Sequence, residues 1–210
     1  MNIKAIQTTY AGHLFRSRLE ARWAVFFDSL GVFWKYEPQG FMVGIEWRER
    51  PYLPDFYLPD LDLWVEVKGS DESMDWTLIG DACDGAGQCL PMSTPGSHNR
   101  YGGCGSDGSA VLVLGDIPPL GHGWCHWMLV NQKGVQAIPV GWTVDGAARV
   151  KRHERYALRF YYDTTTGDDC YAGEISVHGF GDGPNINPRV SQAFNAARKA
   201  RFEHGQSGAA

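Results

Sequence analysis

Two carboxylates and a lysine stand near one another in a short segment that also carries a turn. Asp55 follows a proline, ten residues separate it from Glu66, and Lys68 comes two positions after Glu66. Side chains two apart on a strand share a face, so Glu66 and Lys68 point the same way while Val67 points to the apolar side. A tight hairpin would bring Asp55 beside Glu66.

Phosphodiester hydrolysis is the chemistry that needs such a set. Two like charges at close range are costly, and a bound divalent cation with oxygen ligands removes that cost. Magnesium polarises a phosphoryl oxygen and lowers the pKa of a bound water. A neighbouring lysine such as Lys68 can orient or deprotonate that water, or stabilise the developing negative charge.

Glu20 is a further candidate because it lies on a partly apolar helix face. Trp23, Ala24 and Phe27 follow it at spacings of three, four and seven residues. A carboxylate in apolar surroundings requires a partner or a metal ion. The competing interpretation of Glu20 is a surface ion pair with Arg16.

The elements that position these residues follow from the hydrophobic pattern. Apolar residues at helical spacing predict a helix over Leu14–Leu30, which Gly31 would end. Short aromatic and β-branched runs predict the following strands, the last two forming an antiparallel hairpin: Val32–Tyr36, Phe41–Trp47, Tyr52–Leu58 and Leu63–Lys68.

The remainder of the chain predicts further helices and strands around a long insertion. Residues 84–109 are rich in glycine and read as an irregular insertion. Around it the pattern predicts a helix over Ser73–Cys83 capped by Asp71 or Ser73, a buried strand over Ala110–Leu114, a strand pair over Trp124–Val130 and Val135–Pro139, and a helix over Val190–Phe202. We therefore expect a mixed α/β sheet in a core of residues 1–140, with an extension over 141–210 that packs on it and ends in a helix.

At these positions the chain resembles a known family. The resemblance rests on four sequence motifs: Arg16-Ser17-x-x-Glu20-Ala21-x-Trp23-Ala24, Tyr36-Glu37-Pro38, Tyr52-Leu53-Pro54-Asp55-Phe56-Tyr57-Leu58 and Trp64-Val65-Glu66-Val67-Lys68-Gly69. Together they resemble the PD-(D/E)xK nuclease superfamily, closest to the small nucleases of phages and mobile elements. The resemblance covers roughly residues 13–70 and implies a restriction-endonuclease-like fold.

The resemblance also implies a role for each matching residue. Asp55 and Glu66 would be the main ligands of Mg²⁺ or Mn²⁺, with the backbone carbonyl of Val67 as a third. Glu20 would complete the metal shell directly or through water, and Lys68 would act on the attacking water. The implied activity is metal-dependent endonucleolytic cleavage of DNA.

Charge is distributed unevenly, and this decides whether DNA is a plausible partner. The formal net charge is −5, but residues 51–86 alone carry 1 basic and 9 acidic side chains. That segment contains Asp55 and Glu66, and outside it the chain is mildly basic. The overall charge therefore does not argue against a nucleic-acid substrate, and Arg16, Arg18 and Arg22 beside Glu20 are candidate phosphate contacts.

Two other interpretations keep the nuclease fold but change the function. One is a non-catalytic DNA-binding or assembly module, and the other is a nuclease subunit that cuts only with a partner. The sequence leaves the oligomeric state open, with a homodimer as one compatible assembly.

The cysteines and the apolar runs argue against a secreted disulfide-rich protein and against a membrane protein. The five cysteines do not form a disulfide framework, and no apolar run is long enough to span a bilayer, so we expect a cytoplasmic protein without a membrane partner. Structural Zn²⁺ is a weaker hypothesis, because the chain has no CxxC pair. Its candidate ligands are Cys83, Cys89, His98, Cys104, His122, Cys125 and His126.

Overall fold

A computed structural model describes residues 6–59, 63–70, 73–83, 90, 111–117, 126–131, 135–144, 156–160 and 188–202. Over these residues the chain is a mixed α/β protein. Its α-helices are α1 (Arg18–Leu30), α2 (Trp76–Cys83) and α3 (Pro188–Lys199), and Glu46–Arg48 form a short 3₁₀ helix. Its strands are β1 (Thr8–Tyr10), β2 (His13–Phe15), β3 (Lys35–Tyr36), β4 (Phe41–Val43), β5 (Arg50–Tyr52), β6 (Phe56–Leu58), β7 (Leu63–Val67), β8 (Val111–Leu114), β9 (His126–Asn131), β10 (Val135–Val144) and β11 (Tyr156–Phe160).

A sheet of seven described strands forms the centre, in the order β11-β10-β9-β8-β7-β6-β3. Strands β6 and β7 form the predicted antiparallel hairpin, with Phe56 opposite Val65. Strand β8 pairs in parallel with β7, and all four of its residues are buried. A wholly apolar strand is what a position covered on both faces requires, so the prediction for this run is confirmed.

Each face of the central sheet has its own apolar core. On one face α1 and α3 pack together, and the ring of Phe194 stacks on that of Phe26 with centroids 4.5 Å apart. On the other face lie α2 and the two-stranded β4–β5 sheet, which enclose Tyr52, Trp64 and Ile79. The alternation along β7 agrees with the sequence prediction, because Val65 and Val67 belong to the first core.

Helix α1 begins at Arg18 rather than at Leu14, and the residues before it form a β-hairpin. Strands β1 and β2 pair around Ala11 and Gly12, whose φ angles of +47° and +81° make the tight turn. The Ser17 side chain then accepts a hydrogen bond from the Glu20 backbone N–H and caps the helix. Gly31 ends it in a left-handed conformation, as predicted.

The predicted strand Tyr52–Leu58 is in fact two strands in two layers. Tyr52 ends β5, which pairs with β4, whereas Phe56 begins β6 of the central sheet. Pro54 lies between them and has no backbone N–H to donate to a strand ladder. The break places Asp55 where the two layers meet.

Helix α2 begins at Trp76, later than the predicted start at Ser73. Asp75 caps it, because its Oδ1 accepts a hydrogen bond from the Leu78 N–H at 2.9 Å. Of the two predicted caps, Ser73 lies before the helix, where its hydroxyl donates a hydrogen bond to the Ser70 carbonyl, and Asp71 lies outside the described residues. The predicted insertion 84–109 also lies outside them, except for Leu90. Leu90 is buried in the second core.

The end of the chain adds one described helix. Helix α3 buries Val190, Ala193, Phe194 and Ala197 against α1. The division into a core of 1–140 and an extension of 141–210 stays a prediction. Among the described residues, none of the helices has the length and apolar character needed to cross a membrane.

Candidate active site

Asp55, Glu66 and Lys68 come together at one end of the β6–β7 hairpin. Asp55 directly precedes β6 and is next in register opposite Glu66, one step beyond the Phe56–Val65 pair. The Val67 backbone N–H donates a hydrogen bond to Asp55 Oδ2 at 2.6 Å. Lys68 Nζ lies 2.6 Å from Glu66 Oε1.

The two carboxylates are almost completely buried, which makes their proximity costly. Asp55 is 1% exposed and Glu66 is 5% exposed. Burial and the Glu66 charge raise the pKa of Asp55 to about 7, and Lys68 and the Val67 N–H offset only part of this effect. In the absence of a further cation, Asp55 therefore takes up a proton near neutral pH.

Lys68 is a protonated cation beside this pair. Burial alone would lower its pKa, but the carboxylates of Glu66 and Asp55 outweigh burial and raise the pKa of Lys68. Its side chain is 30% exposed. The ammonium group can therefore face the carboxylates and an approaching substrate at once.

Tyr52 is a site residue that the sequence argument missed. Its buried hydroxyl donates a hydrogen bond to Glu66 Oε2 at 2.9 Å, so each oxygen of Glu66 has a partner. Burial and the charge of Glu66 raise the pKa of Tyr52, which keeps the hydroxyl protonated. The pairing depends on the β4–β5 layer, whereas the sequence pattern joined Tyr52 to the same strand as Asp55.

Glu20 is buried, as its apolar helix face suggested, but it is held by local partners. Its Oε2 accepts hydrogen bonds from the Tyr36 hydroxyl at 2.6 Å and the Arg16 N–H at 3.1 Å, and its Oε1 accepts one from the Ser17 hydroxyl at 2.8 Å. Ser17 and Glu20 thus resemble a capping box, which sequence spacing alone could have indicated. The Glu20 charge still contributes to the raised pKa of Asp55.

The three predicted phosphate-contacting arginines differ in their surroundings. Arg16 forms ion pairs with Asp55 and Glu37 within the site itself. Arg18 and Arg22 are half-buried, and each has a buried Nε without a hydrogen-bond partner. Within the described part of the chain, neither has a carboxylate at ion-pair distance.

The donor set suits magnesium better than zinc. Mg²⁺ is commonly bound by one or two carboxylates together with waters and substrate phosphates, and Asp55 and Glu66 supply two. No group of three or more His, Cys, Asp or Glu side chains is arranged to hold a metal ion in the ranges that the structure describes. Glu20 therefore does not join the pair as a direct third ligand there, and its role in the metal shell stays a prediction, as does that of the Val67 carbonyl.

The zinc hypothesis falls largely outside the described residues. Cys83 is buried in the second apolar core. The backbone of His126 lies in β9, and the remaining candidate ligands lie in segments that are not described.

Comparisons with known protein families, curated proteins and solved structures find no match to this chain.

Proposed function

We propose that this chain is a magnesium-dependent DNA endonuclease with a restriction-endonuclease-like core. The observation that carries the proposal is the Asp55–Glu66 pair, two buried carboxylates placed opposite each other with Lys68 on one of them. Such a pair stores like-charge repulsion that a divalent cation relieves. Buried carboxylates with a raised pKa, such as Asp55, are concentrated at functional sites.

Each site residue has a task in phosphodiester hydrolysis. Asp55 and Glu66 would hold Mg²⁺ or Mn²⁺, which supplies Lewis-acid activation of the phosphate and of a water. Lys68 holds a proton, so it can orient the attacking water and stabilise charge that develops on the phosphate. Tyr52 keeps Glu66 in position through its hydroxyl.

Arg18 and Arg22 would contact DNA phosphates beside the site. They lie four residues apart on α1 and therefore share one face of the helix. Guanidinium groups without carboxylate partners suit phosphate binding, which positions DNA without reading its sequence.

The test is a cleavage assay on a panel of DNA structures. Purified protein is incubated with linear, nicked, single-stranded and branched DNA in Mg²⁺, in Mn²⁺ and in EDTA. We expect cleavage of at least one substrate with either metal, none in EDTA, and none by Glu66→Ala or Lys68→Ala. Metal-dependent cleavage that survives both substitutions would refute the site assignment.

Two other outcomes would redirect the proposal. DNA binding in EDTA with strong salt dependence, together with no cleavage under any condition and no metal binding, would indicate a non-catalytic module. Metal binding by the isolated chain without cleavage would indicate a subunit that cuts only with a partner.

A further inference from the structure

Arg16 bridges two carboxylates that belong to different elements. Its Nη2 donates a hydrogen bond to Oδ1 of the buried Asp55, and its Nε lies 2.5 Å from Oε1 of Glu37. The arginine side chain is itself 50% exposed. Asp55 Oδ2 already accepts from the Val67 N–H, so Arg16 occupies the other oxygen of Asp55.

Glu37 is held in an unusual conformation that brings it to Arg16. Its φ angle is +41°, in the left-handed region that is unfavourable for a non-glycine residue. Its backbone N–H donates a hydrogen bond to the Asp55 carbonyl at 2.9 Å. The surrounding structure thus maintains Glu37 beside the arginine despite the strain.

Charge balance indicates what happens when a cation enters. The carboxylates of Glu20, Asp55, Glu66 and Glu37 carry a formal charge of −4 when ionised, against +2 from Arg16 and Lys68. A divalent cation on Asp55 and Glu66 would balance this set with both cationic side chains still present. Glu37 is a second partner of Arg16, and a cation on Asp55 would not break this second ion pair.

We propose that Arg16 is a positioning residue that competes with the divalent cation for Asp55 Oδ1. Once the cation has displaced the Arg16 guanidinium from Asp55, Glu37 keeps that guanidinium beside the site. Without metal, Arg16 partly compensates the buried Asp55 charge. With metal, the half-exposed guanidinium would remain paired with Glu37. The inference rests on the proposed function in taking Asp55 as a metal ligand.

Calorimetric titration of Mn²⁺ into the metal-free protein at pH 8, without DNA, tests this competition. We expect Arg16→Gln to bind Mn²⁺ about tenfold more tightly than wild type, since the competing cation is gone. Glu37→Gln should weaken Mn²⁺ binding about threefold, and by less when Arg16→Gln is also present. Lys35→Gln removes one exposed positive charge on neighbouring β3 and should change the affinity less than twofold.

Thermal unfolding provides a second readout on the same proteins. Arg16→Gln should unfold at a lower temperature than wild type without metal, and Mn²⁺ should raise its unfolding temperature by more than it raises that of wild type. If Arg16→Gln does not fold, Arg16→Lys replaces it, with an expected tightening of about threefold because an ammonium group cannot bridge both carboxylates.

The outcomes separate this inference from the proposed function. Equal Mn²⁺ affinities for wild type, Arg16→Gln and Lys35→Gln would overturn the competition and leave the metal site intact. An equal gain in Arg16→Gln and Lys35→Gln would reduce the effect to general electrostatics and also overturn it. Absence of Mn²⁺ binding in both wild type and Arg16→Gln would overturn both proposals.

Discussion

Two clusters of acidic and basic side chains flank the β4–β5 layer, and they are built on opposite principles. We call the first the Asp81 cluster. Oδ1 of the buried Asp81 on α2 lies 2.6 Å from Nη2 of Arg48, and its Oδ2 lies 3.8 Å from Nη2 of Arg50. Arg50 also pairs with Asp75. The arginines are half-exposed and outnumber the buried carboxylate. In the candidate active site, buried carboxylates stand next to each other.

This contrast indicates which of the two clusters is suited to a cation. In the Asp81 cluster, ion pairs attach the β4–β5 layer to α2 and place two arginines around one buried carboxylate. The candidate site holds Asp55 at a pKa of about 7 even with Lys68 beside it. Excess buried negative charge, rather than the presence of ion pairs, distinguishes the candidate active site from the Asp81 cluster.

Removing one carboxylate from each cluster should affect cleavage very differently. Glu66→Ala should lower the rate of metal-dependent DNA cleavage by about 1000-fold, because it removes a metal ligand and the partner of Lys68. Asp81→Asn should change the rate per folded molecule less than twofold. Initial rates on the best substrate of the panel measure both, and similar losses in the two variants would abolish the distinction between the clusters.

Removing one carboxylate charge from each cluster should change the free energy of unfolding in opposite directions. Asp81→Asn should lower the free energy of unfolding by about 2 kcal/mol, because it removes charged hydrogen bonds to arginines that water screens in part. Asp55→Asn, without metal at pH 8, should raise that free energy by about 1 kcal/mol, because it removes a charge that burial and Glu66 disfavour. Urea denaturation measures both values. A loss in Asp55→Asn as large as that in Asp81→Asn would contradict the account.

The pH dependence of the candidate site follows from the raised pKa of Asp55. The pKa of Asp55 in the folded protein, about 7, lies above the ordinary aspartate pKa near 4. Between about pH 4 and pH 7 the folded protein therefore holds a proton on Asp55 that the unfolded chain has lost. Metal-free stability should therefore fall as pH rises from about 4 to 7. Metal affinity should rise over the same range, by nearly tenfold per pH unit below about pH 6 and by less near pH 7, and level off above 7. A flat Mn²⁺ affinity between pH 5.5 and 7.5 would exclude proton release from Asp55.

Phosphate contacts should show the smallest effects. Arg22→Gln should weaken DNA binding a few-fold and reduce the dependence of log affinity on log salt by about one unit. Arg48→Gln in the Asp81 cluster should leave that slope unchanged. Fluorescence anisotropy in EDTA at several salt concentrations measures both slopes, and equal slopes for wild type and Arg22→Gln would remove Arg22 from the DNA-contacting surface.

Local patterns predicted the part of the site that one hairpin contains. Alternation along Leu63–Lys68 placed Glu66 and Lys68 on one face, and the turn before it placed Asp55 opposite them. The buried strand β8 was also predictable from its sequence, because a strand covered on both faces is wholly apolar.

The contacts between layers could not be predicted in the same way. Tyr52 was assigned to the strand of Asp55, and only the break at Pro54 moves it to the second layer, where it reaches Glu66. Helical periodicity extended α1 back to Leu14, although the Ser17 N-cap makes the helix begin only at Arg18. Arg16 therefore precedes the helix and pairs with Asp55 and Glu37, whereas the pattern had grouped it with the helical arginines as a candidate phosphate contact.

The most direct test of the account is whether Asp55 binds a divalent cation. Mn²⁺ is titrated calorimetrically into metal-free wild type, Asp55→Asn and Asp81→Asn at pH 8. We expect saturable binding to wild type and Asp81→Asn with the same affinity, and its loss in Asp55→Asn. Binding to Asp55→Asn with the wild-type affinity, or no binding to wild type, would contradict a metal site at Asp55.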